Sequence, residues 1–280
     1  MTAAASQLFI AQPSISLAIS EMEEYYGVKL FDRISRKLYL TENGRGALQY
    51  ARHIIDLLDE MEQGVRDVDA MGRLKVGTSI TIGTYLLPGY IKRLKQQYPA
   101  LKVEASIANS ETIEQQILDN EIDVGIIEGV AHSPFILSES FAGDRLAFIC
   151  PAGHEFAGRT LEELAEVRNQ DFILREKGSA GREIFDGILA AQELNVRPIW
   201  QSASNQVILQ GVKAGLGISI LPYFLVRQGI REGELAEFRI KGLALNRKYS
   251  VIYHKNKFLP RSARTLMELC KEENGTARGL

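Results

Sequence analysis

Apolar and polar positions change their period along this chain, and each change marks an element. Between residues 4 and 44, AASQLFIAQPSISLAISEMEEYYGVKLFDRISRKLYLTENG, two short helical patterns flank Ile10-Ala11-Gln12-Pro13. Proline suits a first helical turn and pushes the residue before it out of the α region, so the pattern predicts a helix-turn-helix. Its second helix, Pro13 to Tyr26, turns Ile15, Ile19, Met22 and Tyr26 to one side. The other side carries Gln12, Ser14, Ser16 and Ser20, small hydrogen-bonding groups of a size to enter a DNA major groove. Gly27 stops that helix, and the alternation Lys37, Leu38, Tyr39, Leu40 around a polar tip at Ser35 predicts a small β-wing. From Gly44 to about Met71 runs a proline-free helical pattern in which Ala51, Ile54, Leu58, Met61, Val65 and Val68 repeat at a mean of about 3.5 residues, the period of a coiled-coil seam.

Beyond Gly72 strands and helices alternate. Leu74 to Thr78, Leu101 to Ile107 and Ile122 to Ile127 read as strands, with helices at Tyr85 to Tyr98 and, capped by Ser110, at Ser110 to Leu118. This βαβαβ order predicts a mostly parallel sheet covered on both faces. After a strand at Arg145 to Cys150 the pattern restarts. Thr160 is expected to cap a short helix, and further strands are expected at Phe172 to Leu174, Ile199 to Gln201 and Ile218 to Leu221, with helices at Ser179 to Leu194 and Ser204 to Ala214 between them. A last strand, Lys248 to Tyr253, and a helix, Pro260 to Lys271, most simply return to the first unit. Two α/β lobes joined by two crossings describe a periplasmic-binding-protein-like fold with a ligand cleft between the lobes. The expected divisions are a winged helix-turn-helix at 1–43, a linker and dimerisation helix at 44–72, and an effector-binding domain at 73–280, with lobe I at 73–150 and 250–280 and lobe II at 151–249.

Composition narrows the function. With 280 residues, a net charge of -2 and 45% hydrophobic residues, the chain is neither disordered nor uniformly basic, so any nucleic-acid role is local. Charge is in fact local. Residues 1 to 20 hold no charged side chain, while residues 29 to 52 carry a net +4 from Lys29, Arg33, Arg36, Lys37, Arg45 and Arg52 against Asp32 and Glu42, which assigns phosphate contacts to the wing. No apolar run approaches the ~18 residues that span a bilayer, and the start lacks a secretory pattern, so a cytoplasmic protein is expected. Cys150 and Cys270 are far apart with no CxxC spacing, which fits a reducing compartment and two buried small hydrophobes. His53, His132, His154 and His254 are scattered, and neither a nucleophile-base spacing nor a phosphate or dinucleotide loop is present. An enzyme is therefore not expected, nor is a cofactor or a metal.

Candidate ligand chemistry gathers at strand ends. Ser79 and Thr81 follow the first strand, Gly178, Ser179 and Arg182 open a helix of lobe II, Asn205 opens another, and Glu128 ends the strand of DVGIIEG. Hydroxyls, helix N-termini and an arginine favour a small anionic or zwitterionic effector. Glu128 would repel an anion unless it engages an amine, a hydroxyl or Arg182.

The winged-helix segment, the seam-bearing helix after it, and the segments VGTSITIGTYLLP, DNEIDVGIIEG, REKGSAGR and VKAGLGISILP closely resemble the LysR-type transcriptional regulators. Within them, TSITIGTYLLP, DVGIIEG and REKGSAGRE look most like regulators of cysteine-biosynthesis and carbon-fixation operons. The resemblance covers essentially the whole chain. It implies a homodimer or dimer of dimers that binds promoter DNA, responds to a small effector in the cleft, and has RNA polymerase as a candidate further partner. It also implies that Gln12, Pro13, Ser16 and Leu17 face the groove with Ser20 nearby, and that Arg33 and Arg36 lie on the backbone or flanking minor groove. Two departures stand out: relatives often carry a polar or basic residue where Leu17 stands, and a further helix normally precedes the pair, so a start placed too late is expected. The rival reading is a solute-binding protein of the same fold without DNA function, against which the attached winged helix argues.

Overall fold

The computed structural model describes residues 2–34, 37–66 and 72–272. The chain divides into two compact units, Met1–Ala70 and Met71–Leu280.

In the first unit, helices α1 (Thr2–Leu8) and α2 (Gln12–Tyr26) precede strands β1 (Phe31–Ile34) and β2 (Lys37–Leu40) and the long helix α3 (Glu42–Arg66). Pro13 occupies the first turn of α2, and Gly27 ends it at φ 67°, where the amides of Gly27 and Val28 donate to the carbonyls of Glu24 and Glu23. The wing is antiparallel, with Phe31 opposite Leu40 and Arg33 opposite Leu38. Two side chains fix its ends. Glu23 Oε1 accepts from the amides of Leu30 (2.9 Å) and Phe31 (3.1 Å) while Oε2 meets Lys29 Nζ at 2.7 Å, and these contacts hold its carboxyl down to a pKa of about 2. Thr41 Oγ1 donates to the Lys29 carbonyl at 2.7 Å and accepts from the Gly44 amide at 2.9 Å, so it caps α3 and pins the helix to the wing. Gly44 is required there, since a Cβ would lie 2.0 Å from the Leu30 carbonyl oxygen.

The expected apolar face of α2 is covered only in part. Ile15 and Ile19 are half-buried, whereas Met22 and Tyr26 are exposed. In α3 the seam residues Ile54, Leu58 and Met61 are exposed, at 65%, 51% and 56%, as is the neighbouring Ile55. The expected seam ends at Val68, which lies outside the described residues, as do Ser35 and Arg36 at the wing tip.

The second unit is two α/β lobes. Lobe I holds β3 (Arg73–Ser79), α4 (Ile80–Tyr85), α5 (Leu87–Gln97), β4 (Lys102–Ala108), α6 (Ser110–Leu118) and β5 (Val124–Glu128), with β3 parallel to both β4 and β5. The helix expected from Tyr85 to Tyr98 is α5, with Pro88 in its first turn, and the short α4 before it was not expected. β6 (Ile136–Pro151) runs through both lobes. Lobe II continues with β7 (Thr160–Leu161), β8 (Phe172–Arg175), α7 (Ala180–Ala191), β9 (Pro198–Ser202), α8 (Asn205–Lys213), β10 (Ser219–Pro222), α9 (Tyr223–Arg231) and β11 (Leu235–Ile240), before β12 (Asn246–His254) and α10 (Arg261–Glu272) return to lobe I. The main sheet is ordered β4-β3-β5-β12-β6-β11-β7, with β10 also paired to β6. β12 lies antiparallel between β5 and β6, so in the main sheet the expected parallel order holds for β4-β3-β5 and for the β11-β7 pair but not between them.

The crossings lie side by side. Ile136 to Arg145 pair with β12, and Leu146 to Pro151 pair with β10 and β11, so β6 changes partners at 145/146 and β12 begins at Asn246, a few residues before the expected divisions. Lobe I is built on Leu74, Val76, Tyr90, Leu94, Tyr249 and Leu266, and lobe II on Phe148, Phe172, Phe185, Ile218 and Phe238. Each large side chain fully buried there is worth about 1.5–3 kcal/mol.

Two expected caps are different in the structure. Asn109 caps α6, its Oδ1 accepting from the Thr112 amide at 2.9 Å, while Ser110 Oγ donates inward to the Glu128 carbonyl at 2.9 Å. Thr160 lies in β7, paired with Arg239, and the short 3-10 helix that follows is capped by Glu163 in a reciprocal box with Glu166.

Candidate nucleic-acid interface and ligand cleft

On α2, Gln12, Pro13, Leu17 and Ser20 are exposed and Ser16 is half-buried. Gln12 and Ser16 stand one helical turn apart, and Gln12 Nε2 donates to Ser16 Oγ at 2.8 Å, which aligns the amide along the outward face. Arg33 is exposed on β1. Of the described candidates, those on α2 share one helix face, polar or small except for the exposed Leu17.

The cleft candidates fall into three groups. Ser79, Thr81 and Glu128 are buried together at the end of the lobe I sheet, at 1%, 2% and 4% exposure. Ser79 does not cap α4; its Oγ accepts from the Glu128 amide at 3.3 Å. Thr81 Oγ1 and Glu128 Oε1 are sealed from solvent with no hydrogen-bond partner. Buried oxygens without donors are costly, and such groups in a cleft are what a ligand or ordered water satisfies.

Asn205 belongs to a second place. Ser204 caps α8 through the Val207 amide, and Asn205 Oδ1 accepts from Arg175 Nη1 at 2.9 Å. Asn205 lines a 390 Å³ cavity between the lobes, with Ile80, Thr84 and Tyr85 on one side and Ser204 and Gln206 on its own. Tyr85, which lines it from lobe I, also makes an edge-to-face pair with Phe224 of lobe II, with ring centroids 5.2 Å apart.

Gly178, Ser179 and Arg182 lie at a third place, where lobe II touches lobe I. The Glu111 amide donates to the Gly178 carbonyl at 3.1 Å and Asn109 Nδ2 to the Lys177 carbonyl at 3.3 Å. Gly178 has φ 84°, and a Cβ there would meet the Glu111 carboxylate at 2.3 Å. Ser179 Oγ donates to the Glu176 carbonyl rather than capping α7. Arg182 is buried and committed: Nε lies 2.8 and 2.9 Å from the two Asp186 carboxylate oxygens, and Nη1 reaches the carbonyl of Arg175 and the amide oxygen of Gln201.

The partner of Glu128 is therefore not Arg182 but Arg247 on β12, whose Nη1 lies 3.3 Å from Glu128 Oε2. Arg247 also makes a fork to Asp144, at 2.6 and 2.8 Å. Burial works against the guanidinium's charge, but the carboxylates of Glu128 and Asp144 outweigh it and raise its pKa. Burial, followed by the field of Asp144, raises the Tyr249 phenol as well. Two carboxylates face one guanidinium, so the charge left in this buried group is negative.

Sequence reasoning missed Arg247 and Asp144. The signal was a charged residue at an inward position of an alternating strand, where a buried partner is required. Cys150 and Cys270 are buried in separate cores and form no disulfide, and burial pushes the Cys150 thiol up to about 11. Among the described residues no cluster of His, Cys, Asp and Glu is arranged to hold a metal ion, and no helix is long and apolar enough to cross a membrane.

Comparison with known proteins bears on both surfaces. Residues 1–45 match the bacterial regulatory helix-turn-helix proteins of the lysR family, and residues 69–275 match the LysR substrate binding domain. The HTH-type transcriptional regulator YeiE of Escherichia coli is 34% identical over 275 residues, spanning 98% of this chain and 92% of that one. CysL of Bacillus subtilis is 30% identical over 254 residues, spanning 90% and 85%, and regulators of RuBisCO operons are among further relatives. Among solved structures, the regulatory domain of Synechocystis CcmR in complex with 2-PG superposes with a TM-score of 0.65 at 25% identity, covering 72% of this chain and 97% of that domain.

Proposed function

The chain belongs to the LysR family of bacterial transcriptional regulators, and from that premise we propose that Gln12, Pro13, Ser16, Leu17 and Ser20 read promoter DNA while Arg33 holds its backbone. The observation that carries this reading is the exposed α2 face, on which the Gln12 amide is aligned by Ser16. Gln12 suits a bidentate contact to an adenine edge, worth roughly 1–3 kcal/mol of discrimination. Arg33 adds affinity without sequence preference. The uncovered apolar stripe of α3 is the dimer contact, because an isolated helix does not leave Ile54, Leu58 and Met61 in water without cost. In the cytoplasm such a dimer presents two reading heads to a pseudo-palindromic site.

Quantitative footprinting on a selected operator tests the assignment. Gln12→Ala should relax discrimination at one base pair, whereas Arg33→Ala should weaken binding to every sequence and lower the salt dependence by about one counterion. Equal loss of specificity in both variants would overturn it.

The effector reading is a small anion or zwitterion held between the lobes, drawing on Asn205 at the 390 Å³ cavity, on the buried Ser79, Thr81 and Glu128 at the end of the lobe I sheet, and on Gly178, Ser179 and Arg182 where lobe II touches lobe I. Two observations support it: the unpartnered Thr81 Oγ1 and Glu128 Oε1, and the complex of the related CcmR domain with 2-PG. Because Arg247 and Asp144 leave Glu128 Oε1 as a lone acceptor, a ligand with a hydroxyl or ammonium beside its acidic group fits better than a bare anion. Calorimetry with 2-PG and with hydroxy- and amino-acids should find a binder whose affinity Thr81→Val lowers at least tenfold. An unchanged affinity would remove Thr81 from the site.

A further inference from the structure

One side chain ties the lobes together through a group that titrates near neutrality. His132 stands in the turn after β5, in lobe I. Its amide and that of Ser133 donate to Glu114 Oε1 of α6, at 2.9 and 2.7 Å, and its ring Nδ1 lies 3.3 Å from Glu114 Oε2. The backbone bonds fix the loop on Glu114, so the ring's other edge is directed outward from α6. There Nε2 meets Glu183 Oε1 of α7, in lobe II, at 2.6 Å. A neutral imidazole donates from one nitrogen only, whereas the imidazolium donates from both. With a carboxylate at each nitrogen, only the protonated ring satisfies the arrangement.

The surroundings favour that proton. The charged groups facing the ring across a 430 Å³ pocket are Glu111 and Glu114 from α6 and Glu183 from α7, with the uncharged Gln115, Ser110 and Gly178 beside them. No lysine or arginine lines this pocket among the described residues, and the next charges along α7, Arg182 and Asp186, neutralise each other.

We propose that His132 is a pH-sensitive clasp between the lobes: as imidazolium it donates to both Glu114 and Glu183, and on losing its proton it donates to only one of them and loses the attraction of its charge, so the tie to lobe II weakens. Its position agrees with the direction of its pKa, which the hydrogen bond to Glu183 raises above the ordinary 6.5, against the opposing effect of partial burial. A raised value in the clasped state means the clasp is fully present below the ordinary value and is lost as pH rises through the raised one. The bonds from Glu111 to Gly178 and from Asn109 to Lys177 do not titrate, so the flank loosens at high pH without separating.

The test is made on the full chain. Both native thiols are buried, so cysteines placed at exposed Glu121 in lobe I and Gln192 in lobe II take spin labels selectively. The parent should give a narrow inter-label distance distribution at pH 6 that broadens by pH 8.5, and His132→Gln and Glu183→Gln should give the broad distribution at both. Nuclear magnetic resonance should find the His132 ring titrating above 6.5 in the parent and lower in Glu183→Gln. Glu183 is half exposed, so that substitution leaves the fold intact. Superimposable distributions in the parent at the two pH values, a pH response that survives in His132→Gln, or a ring that titrates at or below 6.5 would each overturn the proposal.

Discussion

Replacing Arg247 with methionine removes the single cation from a buried group that holds two carboxylates. The guanidinium is 3% exposed, Glu128 5% and Asp144 12%, so the pair left behind has almost no access to water. Breaking a buried pair by deleting one partner costs about 3–5 kcal/mol, because the remaining charge stays uncompensated. Two stranded carboxylates place the expected loss at the upper end of that range. In a unit of this size it corresponds to a fall of roughly 10–20 °C in Tm, at about 2–4 °C per kcal/mol. Trp200, the chain's single tryptophan, sits in β9 of lobe II, so its fluorescence in urea follows this unit separately from the first. The triple variant Arg247→Met, Glu128→Gln, Asp144→Asn should recover most of the loss, since it removes charge and partner together. A single variant within about 1 kcal/mol of the parent, or a triple variant no more stable than the single, would refute the reasoning.

Leu58→Asp places a charge at the middle of the α3 stripe, and sedimentation should show monomers where the parent sediments as a dimer. Gly44→Ala forces the first turn of α3 away from the Leu30 carbonyl, a clash expected to cost about 1–3 kcal/mol in urea unfolding of the first unit. Glu23→Gln should speed hydrogen exchange at the Leu30 and Phe31 amides near neutral pH. In the parent the depressed carboxyl keeps that protection from above the ordinary carboxylate range until pH falls through about 2, as amide chemical shifts in an acid titration would record.

Much of this architecture is legible in the sequence because its elements carry strong local signals. Gln12-Pro13 starts α2 and Gly27 ends it, and both boundaries are set by backbone chemistry that no tertiary contact overrides. Of the three parallel strands of lobe I, β5 is the continuous apolar run that a strand buried on both faces must be, while β3 and β4 interleave polar residues and are legible from their alternation. The first ten residues of β6 were hidden for the opposite reason. ILSESFAGDR mixes polar residues and a glycine, because this stretch pairs with β12 near the surface, and only RLAFIC shows a buried strand's composition. β11 and α9 were missed similarly, Arg227 and Arg231 breaking the apolar pattern of a helix that buries only Val226 and Gly229. The cleft residues were legible as types but not as partners. Ser179 and Asn205 look like caps in sequence, and only the fold shows that Glu176 and Arg175 take their side chains instead.

The position of the Arg247 group also bears on how the lobes can move. β6 and β12 form a paired ladder from Ile136–His254 to Arg145–Asn246, interrupted where Tyr249 pairs with Ala142 and Ser250 with Ser140, which leaves Phe141 as an extra residue on β6. Phe141 is buried against Tyr249, so the bulge is packed rather than loose. Asp144 and Arg247 stand directly opposite each other, next to the point where β6 exchanges β12 for β10 and β11, and their fork ties side chains across the same step of the ladder. A rotation of lobe II therefore pivots on strands held by backbone bonds and by a buried ion pair, and its freedom is greatest far from that axis. The contacts between the lobes outside this ladder include Tyr85 with Phe224 and the α6 edge with Gly178 and Glu183. A ligand can shift the lobes only by its difference in affinity between the two arrangements. That difference has to arise where the surfaces separate, at the Thr84–Asn205 cavity and the His132 flank. Substitutions at Asp144 or Arg247 should consequently change stability far more than the ligand's dependence on lobe closure.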